Sequence, residues 1–256
     1  MSAGAPARPV VVTRDEPADG PLSRELKDLG LTVLVWPAVS VSRADPAALR
    51  AALLAASSFD WFVFASRHAV AAVLAELVQA PRGVKVAAIG RATAQVLRQR
   101  GWPVDLVPEE ASAAALVQAF AARPELTRGT LRMLYPASSR ALPALAAGLR
   151  QLGVEVVQVE AYRTEAAPLD IAGCRDWIAR EAVGAVTFTS PSAVDELARA
   201  LGAADFARLL NTAAPVAIGR TTARALSARG HNPVVASTAT LAGVASTTLR
   251  VMQSRS

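Results

Sequence analysis

VAAIGRATAQVLRQRG at Val86–Gly101 and VAIGRTTARALSARG at Val216–Gly230 are two copies of one pattern. Each has a short apolar run, a Gly-Arg step, a stretch with helical spacing and a closing glycine. Ile89-Gly90-Arg91 aligns with Ile218-Gly219-Arg220, Thr93 with Thr222, and Gly101 with Gly230. The switch from a strand-like run to helical spacing marks a strand followed by a helix. The closing glycine suits a left-handed cap at the helix end.

Working outward, four further pairs fall in the same order. FDWFVFAS (Phe59–Ser66) matches VGAVTFTS (Val183–Ser190), and a helical stretch follows each. Ser112–Leu116 resembles Thr240–Val244. Upstream, VVVTR (Val10–Arg14) corresponds to LRMLYP (Leu131–Pro136), and Leu26–Pro37 to Leu149–Tyr162. A duplication of this extent makes the chain two similar units. Alternating strand and helix predicts α/β architecture, with parallel sheets covered by helices on both faces. The bare repeat puts the boundary near Gly129. Val33–Val41 and Val154–Thr164 break the rhythm with alternating apolar residues at the same place in each copy. They are candidates for paired strands that bridge the lobes.

Bulk composition narrows the function. The 256 residues are 52% hydrophobic and carry a net charge of +6, with Arg outnumbering Lys, which stands only at positions 27 and 85. Basic residues form no runs and no aromatics are interleaved with them, so a nucleic-acid surface is not expected. A single cysteine, Cys174, excludes an internal disulfide and a cysteine-based zinc site. Met1–Pro9 lacks an apolar core of signal-peptide length and reads as a short disordered tail. No apolar run approaches the ~20 residues of a membrane helix. The expectation is a cytoplasmic, monomeric protein.

No Gly-rich nucleotide fingerprint, nucleophile elbow or metal-ligating His pair is present. His68 and His231 stand isolated; no metal and no cofactor are expected. What remains are strand-to-helix junctions bearing Ser, Thr, Gly and Arg. They are Thr13-Arg14, Ser66, Gly90 to Thr93, Ser138 to Arg140, Ser190, and Gly219 to Thr222. In an open parallel sheet all such junctions lie on the carboxyl edge, where ligands bind. Each opens a helix whose free N–H groups favour an anion. A molecule with many carboxylates would fit the set. Taken singly, Ser66 and Ser190 are equally ordinary helix caps, and Arg14, Arg91, Arg140 and Arg220 are ordinary solvated arginines. Tyr162, one of two tyrosines, lies in the second bridging segment. It suits either a hydrogen-bond donor to a leaving oxygen or a packing residue of the hinge.

VVVTR, DLGLTVLVWPAVSV, FVFAS, FTSPSAV, the paired AIGRxT motifs and VEAYRTE together resemble the uroporphyrinogen-III synthase family, from about residue 9 to residue 250. The resemblance implies two flavodoxin-like lobes joined by a two-stranded β-ladder. It also implies a crossover: residues 1–36 with 168–256 as one lobe, 46–153 as the other, and 37–45 and 154–167 as linker strands. It implies a cofactor-free closure of hydroxymethylbilane, a linear tetrapyrrole with eight carboxylates, to uroporphyrinogen III with ring D inverted and water lost. Tyr162 then matches the family's catalytic tyrosine. Ser66, Thr93, Ser190 and Thr222 match Ser/Thr positions lining its cleft, and Thr13, Arg14, Gly90, Ser138, Arg140 and Gly219 join them as substrate-binding candidates. Ala65 departs from the second copy, where Thr189 stands, and Arg67-His68 replaces Pro191-Ser192. A non-catalytic two-lobed binding protein for a polycarboxylate is the alternative from another class.

Overall fold

The computed structural model describes residues 8–127 and 131–255, so most of the N-terminal tail and Gly129 lie outside the described residues. In chain order the elements begin β1 (Val10–Val12), α1 (Pro21–Asp28), β2 (Val33–Val35), β3 (Val39–Arg43), α2 (Pro46–Leu54), β4 (Trp61–Phe64) and α3 (Arg67–Glu76). Next come β5 (Lys85–Ala88), α4 (Arg91–Gln99), α5 (Ala113–Ala121), β6 (Arg132–Ser138), α6 (Ala144–Gln151) and β7 (Glu155–Ala166). The chain finishes with α7 (Ile171–Ala179), β8 (Ala185–Phe188), α8 (Pro191–Leu201), α9 (Ala203–Thr212), β9 (Ala214–Ala217), α10 (Arg220–Ser227), β10 (Val234–Val235) and α11 (Leu241–Gln253). Contacts divide these into two units, residues 1–40 with 165–256, and residues 41–164. The chain passes between them within β3 and again within β7.

The first unit holds a five-stranded sheet in the order β10-β9-β8-β1-β2. β1 lies parallel to both its neighbours, with Val10 opposite Val33 on one side and Ala185 on the other. Its three valines are wholly buried and alternate between faces. Val11 packs with Val186, Phe188 and the helices from α7 to α10, whereas Val10 and Val12 pack with Leu22, Leu26 and Val244 of α1 and α11. Burial on both faces is why the strand reads as an unbroken apolar run.

The second unit holds a sheet in the order β3-β7-β6-β4-β5. β4 divides its side chains in the same way. Phe62 and Phe64 face α2, α3 and α4, and Trp61 and Val63 face α5 and α6. The segment 154–167, expected as a linker strand, is corrected in part. Glu155 to Tyr162 pair with β6 along its whole length, so this stretch is an interior strand of the sheet. Its Val156, Val157 and Val159 pack into the unit's two cores; burying them needs a strand covered on both sides, which a free linker is not.

The glycines that close the repeat behave alike. Gly101 and Gly230 have φ of +76° and +83°, a left-handed conformation that glycine takes at little cost. Their neighbours complete the helix ends, as the Trp102 N–H donates to Leu97 O and the His231 N–H to Leu226 O. His231 thus holds the place of Trp102 in the second copy, buried edge-on against Phe206 with ring centres 5.4 Å apart. Burial lowers its pKa below the ordinary histidine value. The unfolded chain therefore takes up a proton, near pH 6.5 and below, that the folded chain resists. The stability His231 contributes is whole above that pH and is lost as pH falls through the folded pKa. Urea unfolding between pH 7.5 and 5 is expected to show a shallower acid-side fall in His231→Gln than in the parent. Equal slopes would free His231 of this role.

Candidate active site

Each sheet gathers its junctions along its own carboxyl edge, because every strand that bears one runs parallel to its neighbour. In the first unit the residues after β9, β8 and β1 stand in sequence: Gly219, Ser190, then Thr13 and Arg14. In the second unit the order is Ser138 with Arg140, Ser66, then Gly90 with Thr93.

The junction after β1 is not an open anion site. Thr13 is fully buried, and its hydroxyl donates to Thr187 O at 2.8 Å. The Glu16 carboxylate accepts from Leu22 N and Ser23 N, at 3.2 and 2.7 Å, and from Ser23 Oγ at 2.9 Å. It also sits 2.9 Å from Arg14 Nε. The chain's own carboxylate thus occupies the start of α1 and pairs with Arg14, so at this junction both Thr13 and Arg14 already have partners within the protein. Glu16 reaches forward six and seven residues, beyond the spacing of the capping-box signature, and no sequence motif announced it.

Ser66 and Ser190 cap α3 and α8 by accepting from Ala69 N at 3.1 Å and Ala193 N at 3.2 Å. Ser190 Oγ also lies 3.0 Å from Ser192 Oγ. Thr93 and Thr222 are buried in the first turns of α4 and α10. The glycines ahead of them differ. A Cβ on Gly90 would meet Ala111 Cβ at 2.9 Å, whereas one on Gly219 would meet nothing within 4 Å. Gly90 is therefore explained by packing and Gly219 is not. Arg140 is exposed, and its N–H donates to Ser138 Oγ at 3.2 Å. Ser138 Oγ is also 2.9 Å from Thr164 Oγ1, so this hydroxyl is engaged within the protein.

The structure brings two of the candidates into direct contact. Ser66 Oγ donates to Tyr162 Oη at 3.0 Å. The Tyr162 ring lies against His68, with ring centres 5.4 Å apart and planes tilted by 39°. Both rings border a cavity of about 310 Å³ whose other walls include Arg43, Asp45, Arg50 and Glu76. Arg50 closes one side by pairing with Glu76 at 2.6 Å, which holds the Glu76 carboxyl below its ordinary pKa. A larger groove of about 720 Å³ runs between α4 and the loop at Val107–Glu109; its lining includes Arg91 but not Arg14, Arg140 or Arg220. His68 was not among the site candidates, because a lone histidine in a first helical turn carries no motif.

Because the Ser66 hydrogen goes to Tyr162 Oη, the phenolic hydrogen of Tyr162 is left to donate elsewhere. The other tyrosine is unsuited to proton work. Tyr135 is buried on the opposite face of the sheet, and burial, then the nearby Tyr162, push its pKa up to about 12. Burial likewise pushes the Cys174 thiol up to about 12, far from a reactive thiolate. Among the described residues no three His, Cys, Asp or Glu side chains cluster as metal ligands, and no helix is long and apolar enough to cross a membrane.

A family model described as uroporphyrinogen-III synthase HemD matches residues 20–246. The chain belongs to the uroporphyrinogen-III synthase family. Named relatives agree: the uroporphyrinogen-III synthase of Chlorobaculum parvum is 28% identical over 229 residues, 86% of this chain and 89% of that one. That of Synechococcus elongatus is 29% identical over 164 residues, 60% of each chain. A solved uroporphyrinogen III synthase from Thermus thermophilus, 22% identical, superposes with a TM-score of 0.68 over 97% of this chain and all of its own. That likeness shows the fold, two α/β halves with parallel sheets. Family membership makes the chain an enzyme of tetrapyrrole synthesis and leaves the binding-protein alternative without support.

Proposed function

We propose that this uroporphyrinogen-III synthase cyclises hydroxymethylbilane to uroporphyrinogen III, with Tyr162 as the group that assists loss of the ring A hydroxyl. The observation that carries the role of Tyr162 is the direction of its hydrogen bond. Ser66 donates to Tyr162 Oη, so the phenol O–H points its own hydrogen at a third group. A pyrrole nitrogen lone pair expels the hydroxyl, which takes up a proton and departs as water; a hydrogen bond from Tyr162 stabilises the charge on that oxygen as the C–O bond breaks. The azafulvene cation that remains is attacked by the substituted carbon of ring D, giving a spiro intermediate. This reopens and closes through the unsubstituted α-carbon of ring D, which loses its proton and so returns the one taken up by the departing water. The substrate closes unaided to the uninverted isomer, so the enzyme's main task is to hold one folded conformation.

Carboxylate anchoring supplies that hold. Thr93, Ser190, Gly219 and Thr222, each at the start of a helix, remain the candidate anchors, and the empty space over Gly219 supports its place among them. The Ser66 hydrogen is spent on Tyr162, so Ser66 serves the site through that phenol. Gly219 has an extended φ of −168° that any residue adopts. Gly219→Ala is therefore expected to change stability by no more than about 1 kcal/mol while raising KM about tenfold, because its methyl group occupies the carboxylate's approach. Urea unfolding and steady-state kinetics on the same preparation check both halves. An unchanged KM would remove Gly219 from the substrate site. The reaction needs no cofactor, and we place it in the cytoplasm with a single chain as the working unit.

The deciding experiment supplies purified protein with freshly generated hydroxymethylbilane, oxidises the products and separates type I from type III porphyrin. Type III product that scales with protein concentration is expected. Type I at the uncatalysed rate, from folded protein, would overturn the assignment.

A further inference from the structure

β6 and β7 run in step from Arg132 opposite Glu155 to Ala137 opposite Glu160, and then Ser138 stands opposite Tyr162. Ala161 is an extra residue in β7, a bulge. Ahead of it the strand alternates: Val157 and Val159 pack on the face of α2 to α4, and Val156 on the face of α5 and α6. Ala161 continues the first series. Strict alternation would send Tyr162 to the opposite face, which holds Tyr135 and Ala137. The extra residue cancels that turn. Tyr162 packs on the same face as Ala161, where it meets Ser66 and His68. One residue of bulge therefore decides whether the phenol reaches α3 at all, and bulges re-aim side chains in this way.

A bulge breaks the ladder, and here side-chain hydroxyls help to restore it. The Ser139 N–H donates to Tyr162 O at 3.0 Å, and the Thr164 N–H donates to Ser139 Oγ at 3.2 Å. Thr164 Oγ1 and Ser138 Oγ are 2.9 Å apart, and Thr164 is buried. The backbone is thus pinned at Tyr162 and two residues after it. We propose that Thr164, with Ser138 and Ser139, forms a clamp that holds the bulge and so aims Tyr162, making these three positioning residues rather than substrate ligands. The inference rests on Tyr162 acting as the hydroxyl donor.

Thr164→Val keeps the shape and removes the hydroxyl, and Thr164→Ser keeps the hydroxyl. Each is measured alone and in a Tyr162→Phe background, with the unsubstituted chain in the same series. A clamp acting through Tyr162 predicts that Thr164→Val lowers kcat about tenfold with KM within about twofold, and that Thr164→Ser restores kcat to within about twofold. In the Tyr162→Phe background, Thr164→Val changes kcat by less than about twofold, because the group it aims is already gone. An equal loss in both backgrounds, a rise in KM with kcat unchanged, or no effect in either overturns the clamp. Should Thr164→Val fail to fold, Ser139→Ala takes its place under the same criteria. Absence of type III product from the unsubstituted chain would indict the functional assignment instead.

Discussion

Tyr162→Phe is expected to lower kcat by about 10- to 100-fold while KM stays within about twofold, the mark of an interaction made only as the C–O bond breaks. The substitution removes one oxygen. The ring stays packed beside His68, and among the described residues the hydrogen bond lost is the one from Ser66, at 3.0 Å. Folding should suffer by about 1 kcal/mol or less, because Ser66 is half-buried and water can replace the bond. Tyr135→Phe is the control. Tyr135 is buried on the other face of the sheet, and its substitution should leave turnover within about twofold of the parent. Type III product formation by the two variants, with unfolding curves for each, separates the cases. An unchanged rate in Tyr162→Phe would return that residue to the packing role its sequence position equally allowed, and the clamp would then have nothing to aim.

A loss of roughly 3–5 kcal/mol is expected for Trp102→Ala, the upper part of the range for emptying a core site. Trp102 is 2% exposed and packs against Phe62 and Phe64, with ring centres 6.1 and 6.0 Å away. Its indole N–H donates to Val78 O at 3.0 Å, so truncation opens a cavity and also removes the bond that ties the indole to the exposed Val78. The neighbours cannot close in easily, because Trp102 follows the left-handed Gly101 that ends α4 and its backbone is bound to Leu97 O. Unfolding in urea measures the effect. A loss below about 1 kcal/mol would mean that the core around β4 collapses freely into the space.

The site was legible to different depths in the sequence. Serines ahead of helical runs announce caps, and Ser66 and Ser190 do cap α3 and α8. That Ser66 also binds Tyr162, 96 positions away, has no local signal, since a cap and a phenol partner call for the same residue type. Thr13 and Arg14 look like Ser66 in the sequence and have different surroundings, because the Thr13 hydroxyl is turned inward to Thr187 O and Glu16 lies buried beside Arg14 against the start of α1. Nothing in a count of charges tells a carboxylate that turns inward from one that faces water.

The amino-acid sequence by itself determined the alternation of strand and helix, the twofold repetition, and the junctions where helices begin. Those features are local: side-chain periodicity reports which faces are covered, and small polar residues or glycine mark where a helix starts or stops. Tertiary structure decided the partners. Val10–Val12 would satisfy any interior position of a parallel sheet; its place between β2 and β8, next to a strand 175 residues further on, has no local signal and was implied only by the family resemblance. Tertiary structure likewise decided the aim of Tyr162. A bulge is a mismatch between two strands, and a mismatch exists only once both are paired.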